Sequence, residues 1–586
     1  MLFETSFKEG FDYYERVIDE STGKSSKRKI DDKFEYYTEV SSGLYSYVLD
    51  SSVKLTKKLG TSKDARDNYG VLDPIYRNIR DSYWGKNKVN LAPRIWYLDI
   101  ETRSLDGFPD PGIANQQISL VQIYDNKEDV IIMLGLRDWK HQQDYEFEKK
   151  VKYIKCESEI QLIENYLNIF NKLDPLIIYA WNGDGFDFPY IYNRLKNLGI
   201  DTDRLSNYGK SSLKTGEFMG KVEYNFSSNG HHYIDLMKVY RKFVLSPRPS
   251  YSLDTIAEIE IKEKKVKHDE YQTFDDFYTG NYVLPDNPSE EQMNSKIYQE
   301  ALKGNWDEVK ELAHSEFCFY GYKDPLLIKK IDDKLNFTSL MLMISEKMGV
   351  LLSDSLGTVK PWSQYIANRL YEGNQITPKR QEHDSPSIVG GYVKDPQVGK
   401  HKWVLSVDVN SMYPLLGMVG FNMSPETFVP KAKMSPELRD IVLSTFNSQD
   451  ESKVLDITEE KWNYIKSIIK RDNVCLGING AVFSKGKLGI IPELVGEIYS
   501  SRKDAKKIMF KYEQRKVLIK DTLKHYDEYN GSSETNKEVL EYTEEELKTL
   551  SKSKLEELLR LAENGERLWD TKQMTEKILM NSFNQK

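Results

Sequence analysis

Apolar residues dominate three short stretches in the first quarter of the chain. RIWYLDIE, ISLVQIYD and VIIMLG follow one another between residues 94 and 135, and the turn residues Asp125-Asn126-Lys127 separate the last two. Such spacing predicts an antiparallel meander. A helical stretch, SEIQLIENYLNIFNKL, then leads to PLIIYAWN, whose unbroken apolar character predicts a central strand buried on both faces. Strands and helices mixed in this order indicate a multidomain α/β protein.

The second half of the chain has a different pattern. A helical region after residue 335 precedes KWVLSVDV at 402–409, which predicts a strand. A long helix is predicted from Pro492 to about residue 528, and the polar segment EYNGSSETNK predicts a turn. A second long helix should begin at the capping box Thr543-x-x-Glu546 and continue almost to the last residue. The two long helices should therefore lie antiparallel.

Length and composition narrow the class of protein. At 586 residues the chain is too long to fold around one hydrophobic core, and roughly three or four domains are expected. No run approaches the ~20 apolar residues of a membrane span, and the first residues do not resemble a secretory signal. The three cysteines are far apart and form no C-x-x-C pair. This suits a reducing cytoplasm and argues against structural zinc.

The net charge of −8 does not indicate a nucleic-acid-binding protein, but it hides a basic segment. Residues 501–520 hold eight Lys or Arg against two acids. The usual explanation of such a run is a solvated helix face. The order of the residues along the predicted helix favours a role in contacting phosphates.

Two acids interrupt the apolar run of YLDIET. In a strand Asp99 and Glu101 point to one face, while Trp96, Leu98 and Ile100 point to the other. Two carboxylates that share a face repel each other and raise each other's pKa, so a positive group is expected beside them. Taken alone, such a pair more often marks the end of a strand that continues into a solvated loop.

Two later stretches supply further acids. Asp187 follows the glycine-rich turn of WNGDGFDFPY, and Tyr320 and Asp324 are four residues apart, which places them on one helical face. By itself, Asp187 would be an ordinary turn residue, and Tyr320 and Asp324 would be an ordinary pair on a helix surface. Together with Asp99 and Glu101 they form the hard oxygen set that two Mg²⁺ or Mn²⁺ ions require for phosphodiester hydrolysis. Tyr320 could orient the attacking water.

LDIET, NGDGFD and Tyr320-x-x-x-Asp324, in this order, resemble the three exonuclease motifs of the family B DNA polymerases. The surrounding residues are most similar to the replicative polymerases of T-even-like bacteriophages. The resemblance implies an RNase H-like 3′–5′ exonuclease domain for proofreading. It also implies that Tyr320 positions the water and that the metal ligands are Asp99, Glu101, Asp187 and Asp324.

VLSVDVNSMYPLL resembles the first polymerase motif of the same family, D-x-x-S-L-Y-P, with Met in place of Leu. The resemblance makes Asp408 a catalytic metal ligand, assigns Ser411 and Met412 to the triphosphate and stacks Tyr413 on the incoming sugar. IVGGYV at 388–393 resembles the segment that contacts the template strand, which implies DNA binding by Gly390, Gly391 and Tyr392. The two long helices resemble the fingers, where the nucleotide-binding residues would be Arg502, Lys506, Lys577 and Asn581.

The sequence departs from the family where it reads KILMNSFNQK. Asn584 and Gln585 stand where the family has Tyr-Gly, and no Y-G-D-T-D-S motif, which carries the second palm carboxylate, occurs. We therefore expect the N-terminal part of a replicative polymerase, completed by a second chain with the remaining palm and the thumb. A truncated sequence would look the same. The alternatives are an autonomous 3′–5′ exonuclease and a nucleic-acid-binding translational repressor.

The resemblance also implies a division of the chain and a set of partners. The substrates would be primer–template DNA and deoxynucleoside triphosphates, and a sliding clamp would bind through the missing part. No membrane partner is expected, and if a phage encodes the protein, the expected location is the cytoplasm of the host cell. The expected parts are an N-terminal domain at 1–93 with a return segment at 334–381, an exonuclease domain at 94–333, the first part of the palm at 382–488, antiparallel two-helix fingers at 489–576 and the start of a second palm segment at 577–586.

Overall fold

The computed structural model describes the chain except for residues 106, 219, 245, 269–270, 286, 380–393, 408–411, 447–456, 530 and 584–586. The described residues form two compact units. The first unit comprises Met1–Asp32 and Asn78–Gly357, and the second comprises Lys33–Arg77 and Thr358–Lys586. Both contain helices and strands, so the predicted mixed α/β class is confirmed. None of the described helices has the length and apolar character needed to cross a membrane.

The strands, numbered in chain order, are β1 (Leu2–Glu9), β2 (Asp12–Asp19), β3 (Lys24–Ile30), β4 (Phe34–Val40), β5 (Tyr45–Tyr47), β6 (Asp50–Gly60), β7 (Tyr69–Leu72), β8 (Ile95–Thr102), β9 (Ile118–Asp125), β10 (Val130–Gly135), β11 (Lys150–Lys155), β12 (Ile177–Ala180), β13 (Ser211–Phe218), β14 (Lys221–Ser228), β15 (His232–Asp235), β16 (Gln375–Ile376), β17 (Val474–Leu476) and β18 (Val482–Ser484).

The helices are α1 (Ser62–Ala65), α2 (Pro74–Ser82), α3 (Glu159–Leu173), α4 (Asp187–Asn197), α5 (Leu236–Phe243), α6 (Leu253–Ile261), α7 (Phe274–Thr279), α8 (Glu290–Asn294), α9 (Lys296–Leu302), α10 (Trp306–Leu335), α11 (Phe337–Met348), α12 (Val359–Glu372), α13 (Pro436–Ile441), α14 (Glu459–Arg471), α15 (Ile490–Lys524), α16 (Tyr526–Tyr529), α17 (Glu544–Thr549) and α18 (Lys552–Phe583).

A six-stranded sheet forms the centre of the first unit. Its strand order is β11-β10-β9-β8-β12-β15. The antiparallel meander predicted from the sequence is confirmed as β8, β9 and β10. β12 pairs in parallel with β8 and β15, and all four of its residues are buried, as the apolar run predicted.

Helices cover both faces of this sheet. Trp96, Leu98 and Ile100 belong to the apolar core that includes α3. On the other face, α10 packs against β8 and β9. Tyr97 donates a hydrogen bond of 2.6 Å to Asp332 near the end of α10, and this carboxylate also accepts from Thr338. The network fixes α10 on the face of β8 that carries the two acids.

The second unit contains a five-stranded sheet, in the order β16-β5-β6-β4-β7, and the two long helices. α15 and α18 lie antiparallel, as predicted, because Ser501 bonds Glu576 at 2.8 Å while Lys520 pairs with Glu563 at 3.0 Å. α15 begins at Ile490, two residues before Pro492.

Two expectations for this unit are wrong. The capping box at Thr543 is formed, but the helix it starts ends at Thr549, and α18 begins separately at Lys552. The break occurs because Ser551 bonds the carbonyl of Ser533 and caps the amide of Lys554. The second error is the strand at 402–409. Residues 402–407 form no strand, and 408–409 lie outside the described residues.

The apolar residues of 402–407 face solvent. Trp403 is 98% exposed, Leu405 85% and Val407 79%. A strand with apolar residues on both faces is stable only between neighbouring strands and covering layers. Among the described residues, none pairs with this segment as a strand.

Candidate active site

The two acids of β8 lie on the face that α10 covers. Asp99 is directly opposite Gln122 of β9 in the antiparallel register. The side-chain amide of Gln122 donates to Asp99 Oδ2 at 2.6 Å and to Glu101 Oε1 at 3.4 Å. Glu101 is buried and Asp99 is half-buried. The alternation of the strand therefore places both carboxylates together, as the sequence predicted.

α10 adds the third carboxylate. Oxygen atoms of Asp99, Glu101 and Asp324 all lie within 4.8 Å of one another. Tyr320 is one turn earlier on the same helix, and Gly321 follows it. A Cβ at Gly321 would lie 2.6 Å from Leu120 Cδ2, so the glycine allows the helix to approach β9 closely.

Asp187 contacts the backbone of β8 beside the two acids. It is the first residue of α4, and its side chain is buried. Its Oδ1 accepts a hydrogen bond of 3.3 Å from the backbone N–H of Ile100, the residue between the two acids. Asp187 thus borders the group formed by Asp99, Glu101 and Asp324.

A residue that the sequence did not single out completes the cluster. Lys265 Nζ lies 2.5 Å from Asp324 Oδ2 and 2.8 Å from the hydroxyl of Tyr320. It is the positive group expected beside the acids. In the sequence Lys265 lies within IKEKKVKH, where it cannot be distinguished from Lys264 or Lys267.

Burial and mutual repulsion determine the electrostatics of the cluster. Burial, followed by the nearby charge of Asp324, raises the pKa of Asp99 to about 7. Burial and then Asp99 raise the pKa of Glu101 and of Asp187. Burial alone would lower the pKa of Lys265, but the surrounding acids, Asp324 first, raise it. The site therefore favours additional positive charge.

The donor set suits a hard divalent cation. Asp324 Oδ1 is buried and has no hydrogen-bond partner in the described part of the chain. Carboxylate oxygens are the ligands that Mg²⁺ and Mn²⁺ prefer. Asp99, Glu101 and Asp324, with Asp187 beside them, are the residues that could hold such ions.

The residues predicted for nucleotide addition are described only in part. Asp408, Ser411, Gly390, Gly391 and Tyr392 lie outside the described residues, as does the side chain of Tyr413. Met412 starts a helical turn that extends to Val419, and its side chain is partly exposed.

The two predicted nucleotide-binding pairs lie on the antiparallel helices. Arg502 and Lys506 are on α15, and Lys577 and Asn581 are on α18. The bond between Ser501 and Glu576 brings Arg502 and Lys577 to the same level of the helix pair. Arg502 Nε is buried without a hydrogen-bond partner in the described part of the chain, whereas Lys506 is exposed.

Comparison with known proteins gives two family matches. Residues 77–256 match the exonuclease domain of DNA polymerase family B, and residues 357–524 match DNA polymerase family B. The first match includes Asp99, Glu101 and Asp187, and the second includes Asp408 and Arg502. Tyr320 and Asp324 lie between the two matched segments.

Individual relatives include two phage enzymes. The DNA-directed DNA polymerase of Escherichia phage RB69 is 27% identical over 84% of this chain and 51% of its own length. That of Enterobacteria phage T4 is 25% identical over 98% of this chain and 62% of its own length. A DNA polymerase of Pyrococcus glycovorans is 24% identical over 46% of this chain and 31% of its own length.

This chain thus spans between half and two thirds of the length of the two phage relatives. The relation to T-even phage polymerases that the motifs indicated is confirmed. The comparisons favour neither the autonomous exonuclease nor the translational repressor.

Proposed function

Because this chain carries the exonuclease and polymerase domains of the family B DNA polymerases, we propose that it removes nucleotides hydrolytically from the 3′ end of DNA. The observation that supports this activity is the gathering of Asp99, Glu101 and Asp324 within 4.8 Å, with Asp187 beside them. The proposed exonuclease domain, 94–333, has an RNase H-like fold, which the mixed six-stranded sheet supports.

The proposed mechanism assigns a task to each side chain. Asp99, Glu101, Asp187 and Asp324 hold divalent cations, whose chemistry when bound is to activate a water and stabilise the leaving oxygen of the phosphodiester. Lys265 donates to the hydroxyl oxygen of Tyr320. The hydroxyl proton of Tyr320 is then free to orient the attacking water. The same lysine holds Asp324 on the cluster.

We further propose that the second unit carries half of a site for adding deoxynucleotides to a primer. Arg502, Lys506, Lys577 and Asn581 would bind the triphosphate, and Asp408 would hold metal. The family match over 357–524 supports this assignment. The remaining palm and the thumb would come from a second chain. The solvent-exposed apolar segment 402–407 supports the proposal of a second chain, because further palm strands would cover these side chains.

The test uses the whole chain, a 5′-labelled primer–template and Mg²⁺. Asp99→Ala with Glu101→Ala should reduce primer degradation by a factor of at least ~100, since removing both ligands removes most of the cation's binding energy. Asp307→Ala, which removes a fully exposed acid, is the matched control and should degrade primer at the wild-type rate. Undiminished degradation by the double variant would refute the proposed exonuclease site.

Nucleotide addition is tested in the same assay with deoxynucleoside triphosphates. The exonuclease-deficient double variant should extend the primer only after a candidate second chain is added. Extension by this chain alone would contradict the proposed need for a second chain.

A further inference from the structure

Gln122 is the only side chain of β9 that donates hydrogen bonds to both acids of β8 in the described structure. Asp99 and Gln122 are cross-strand partners, so their side chains project side by side toward α10. The amide nitrogen Nε2 of Gln122 lies 2.6 Å from Asp99 Oδ2 and 3.4 Å from Glu101 Oε1, within hydrogen-bonding distance of both acids. We infer that Gln122 is a positioning residue that orients both carboxylates for metal binding.

The chemistry of the amide suits this role. Ionised carboxylates only accept hydrogen bonds, and a primary amide has two N–H donors. Gln122 can therefore bond both acids while adding no charge that would compete with a cation. Lys265, in contrast, contacts Asp324 and Tyr320 on α10. The two acids of β8 are thus held by a neutral donor, and the acid of α10 by a charged one.

The amide itself has little freedom to move. Gln122 is fully buried. A Cβ added to Gly321 would lie 3.4 Å from both Cδ and Nε2 of Gln122, so the amide group lies directly under the backbone of α10. Outer groups that fix the orientation of metal ligands commonly change metal affinity 10–100-fold when they are removed.

This inference rests on the proposed exonuclease function, and its test separates the two. Gln122→Met keeps the length of the side chain and removes both donors. The control is Gln364→Met, which removes another buried amide, one that bonds Asn368 in the second unit. Mn²⁺ binding by each variant of the whole 586-residue chain is measured by electron paramagnetic resonance of the free ion. Exonuclease rates are measured against Mg²⁺ concentration.

We expect Gln122→Met to weaken Mn²⁺ binding at least tenfold and to raise the Mg²⁺ concentration for half-maximal rate by a similar factor. The rate at saturating Mg²⁺ should stay within about threefold of wild type, because the ligands themselves remain. Gln364→Met should match the wild type in both measurements.

Three results would overturn the inference. Wild-type Mn²⁺ affinity in Gln122→Met would show that the amide does not position the acids. A lower saturating rate with unchanged metal dependence would contradict it equally, as would a matching loss of affinity in Gln364→Met. Failure of the proposed function would give a different result. In that case the wild type and the double variant Asp99→Ala with Glu101→Ala would bind Mn²⁺ equally.

Discussion

Lys265 is the cation that the acidic cluster holds, and its removal gives a sharp test of the electrostatic description. Lys265→Met preserves the apolar part of the side chain and deletes the ammonium group. Asp324, whose side chain is 1% exposed, would lose its ion pair, and Tyr320 would lose its hydrogen-bond donor. Asp99 and Glu101 would also lose the nearby charge that lowers their pKa.

The expected magnitude follows from the burial of the pair. Breaking a fully buried ion pair costs about 3–5 kcal/mol. The Lys265 side chain is 27% exposed, so the lower end of this range applies, about 3 kcal/mol. For a unit of this size, 1 kcal/mol shifts Tm by roughly 2 °C. We therefore expect the first unit of Lys265→Met to unfold roughly 6 °C below wild type in EDTA.

The assay is thermal unfolding measured by calorimetry, with and without Mn²⁺. A bound divalent cation supplies positive charge to the same carboxylates, so the difference from wild type should shrink when Mn²⁺ is added. Lys264→Met removes the adjacent, exposed lysine and serves as the matched control, with no expected change. Equal Tm values for wild type and Lys265→Met in EDTA would refute the reasoning. A deficit that is the same with and without Mn²⁺ would refute it too.

Two further predictions concern the elements around the site. Asp332→Ala should reduce both the Tm of the first unit and the exonuclease rate, since it removes the acceptor that joins Tyr97 and Thr338 to α10. Calorimetry measures the first effect and primer degradation the second. An unaltered rate would contradict the role of this network. Burial lowers the pKa of His232 to about 4, so the unfolded chain binds more protons between about pH 4 and 6.5. The contribution of neutral His232 to the free energy of unfolding is therefore present above pH 6.5 and is lost as pH falls through 4. This contribution amounts to roughly 3 kcal/mol at most. Carboxylates with raised pKa act with the opposite sign, so the measurement is the difference in unfolding free energy between wild type and His232→Gln across this window. A pH-independent difference would show that His232 does not titrate as described.

The sequence predicted the strand part of the site well because strand geometry is local. Alternation alone places Asp99 and Glu101 on one face and Trp96 and Leu98 on the other, and the structure agrees. The same reasoning placed Tyr320 and Asp324 on one face of a helix. A period of 2 or of 3.6 residues carries this information without any knowledge of the fold.

Gln122 and Lys265 could not be assigned in the same way. A polar residue inside ISLVQIYD is visible in the sequence, but its pairing with Asp99 depends on the register of β8 and β9. The connection between these strands is long and the register shifts between Glu101 and Thr102, so turn geometry does not determine it. Lys265 reaches the cluster through tertiary packing of a segment that reads as a solvated charge run.

The strand expected at 402–407 shows a different limit. Periodicity identifies a segment that is able to pair, but pairing also requires a neighbour. Among the described residues this segment has no paired strand, and its apolar side chains face solvent. The break between α17 and α18 has the opposite cause, because a local competitor, the cap formed by Ser551, interrupts a helical pattern that the sequence carries.

The features of the first unit that violate local rules converge on one place. β8 buries acids in an apolar strand, β9 buries an amide, and α10 contains Gly321 and Pro325 in its interior. Pro325 lacks the N–H that would bond the carbonyl of Gly321, four residues earlier, and Gly321 lies against Gln122. Each feature alone weakens its element. Because natural sequences are otherwise consistent with their local structure, this convergence is most simply explained by selection for the acidic cluster itself and not for stability.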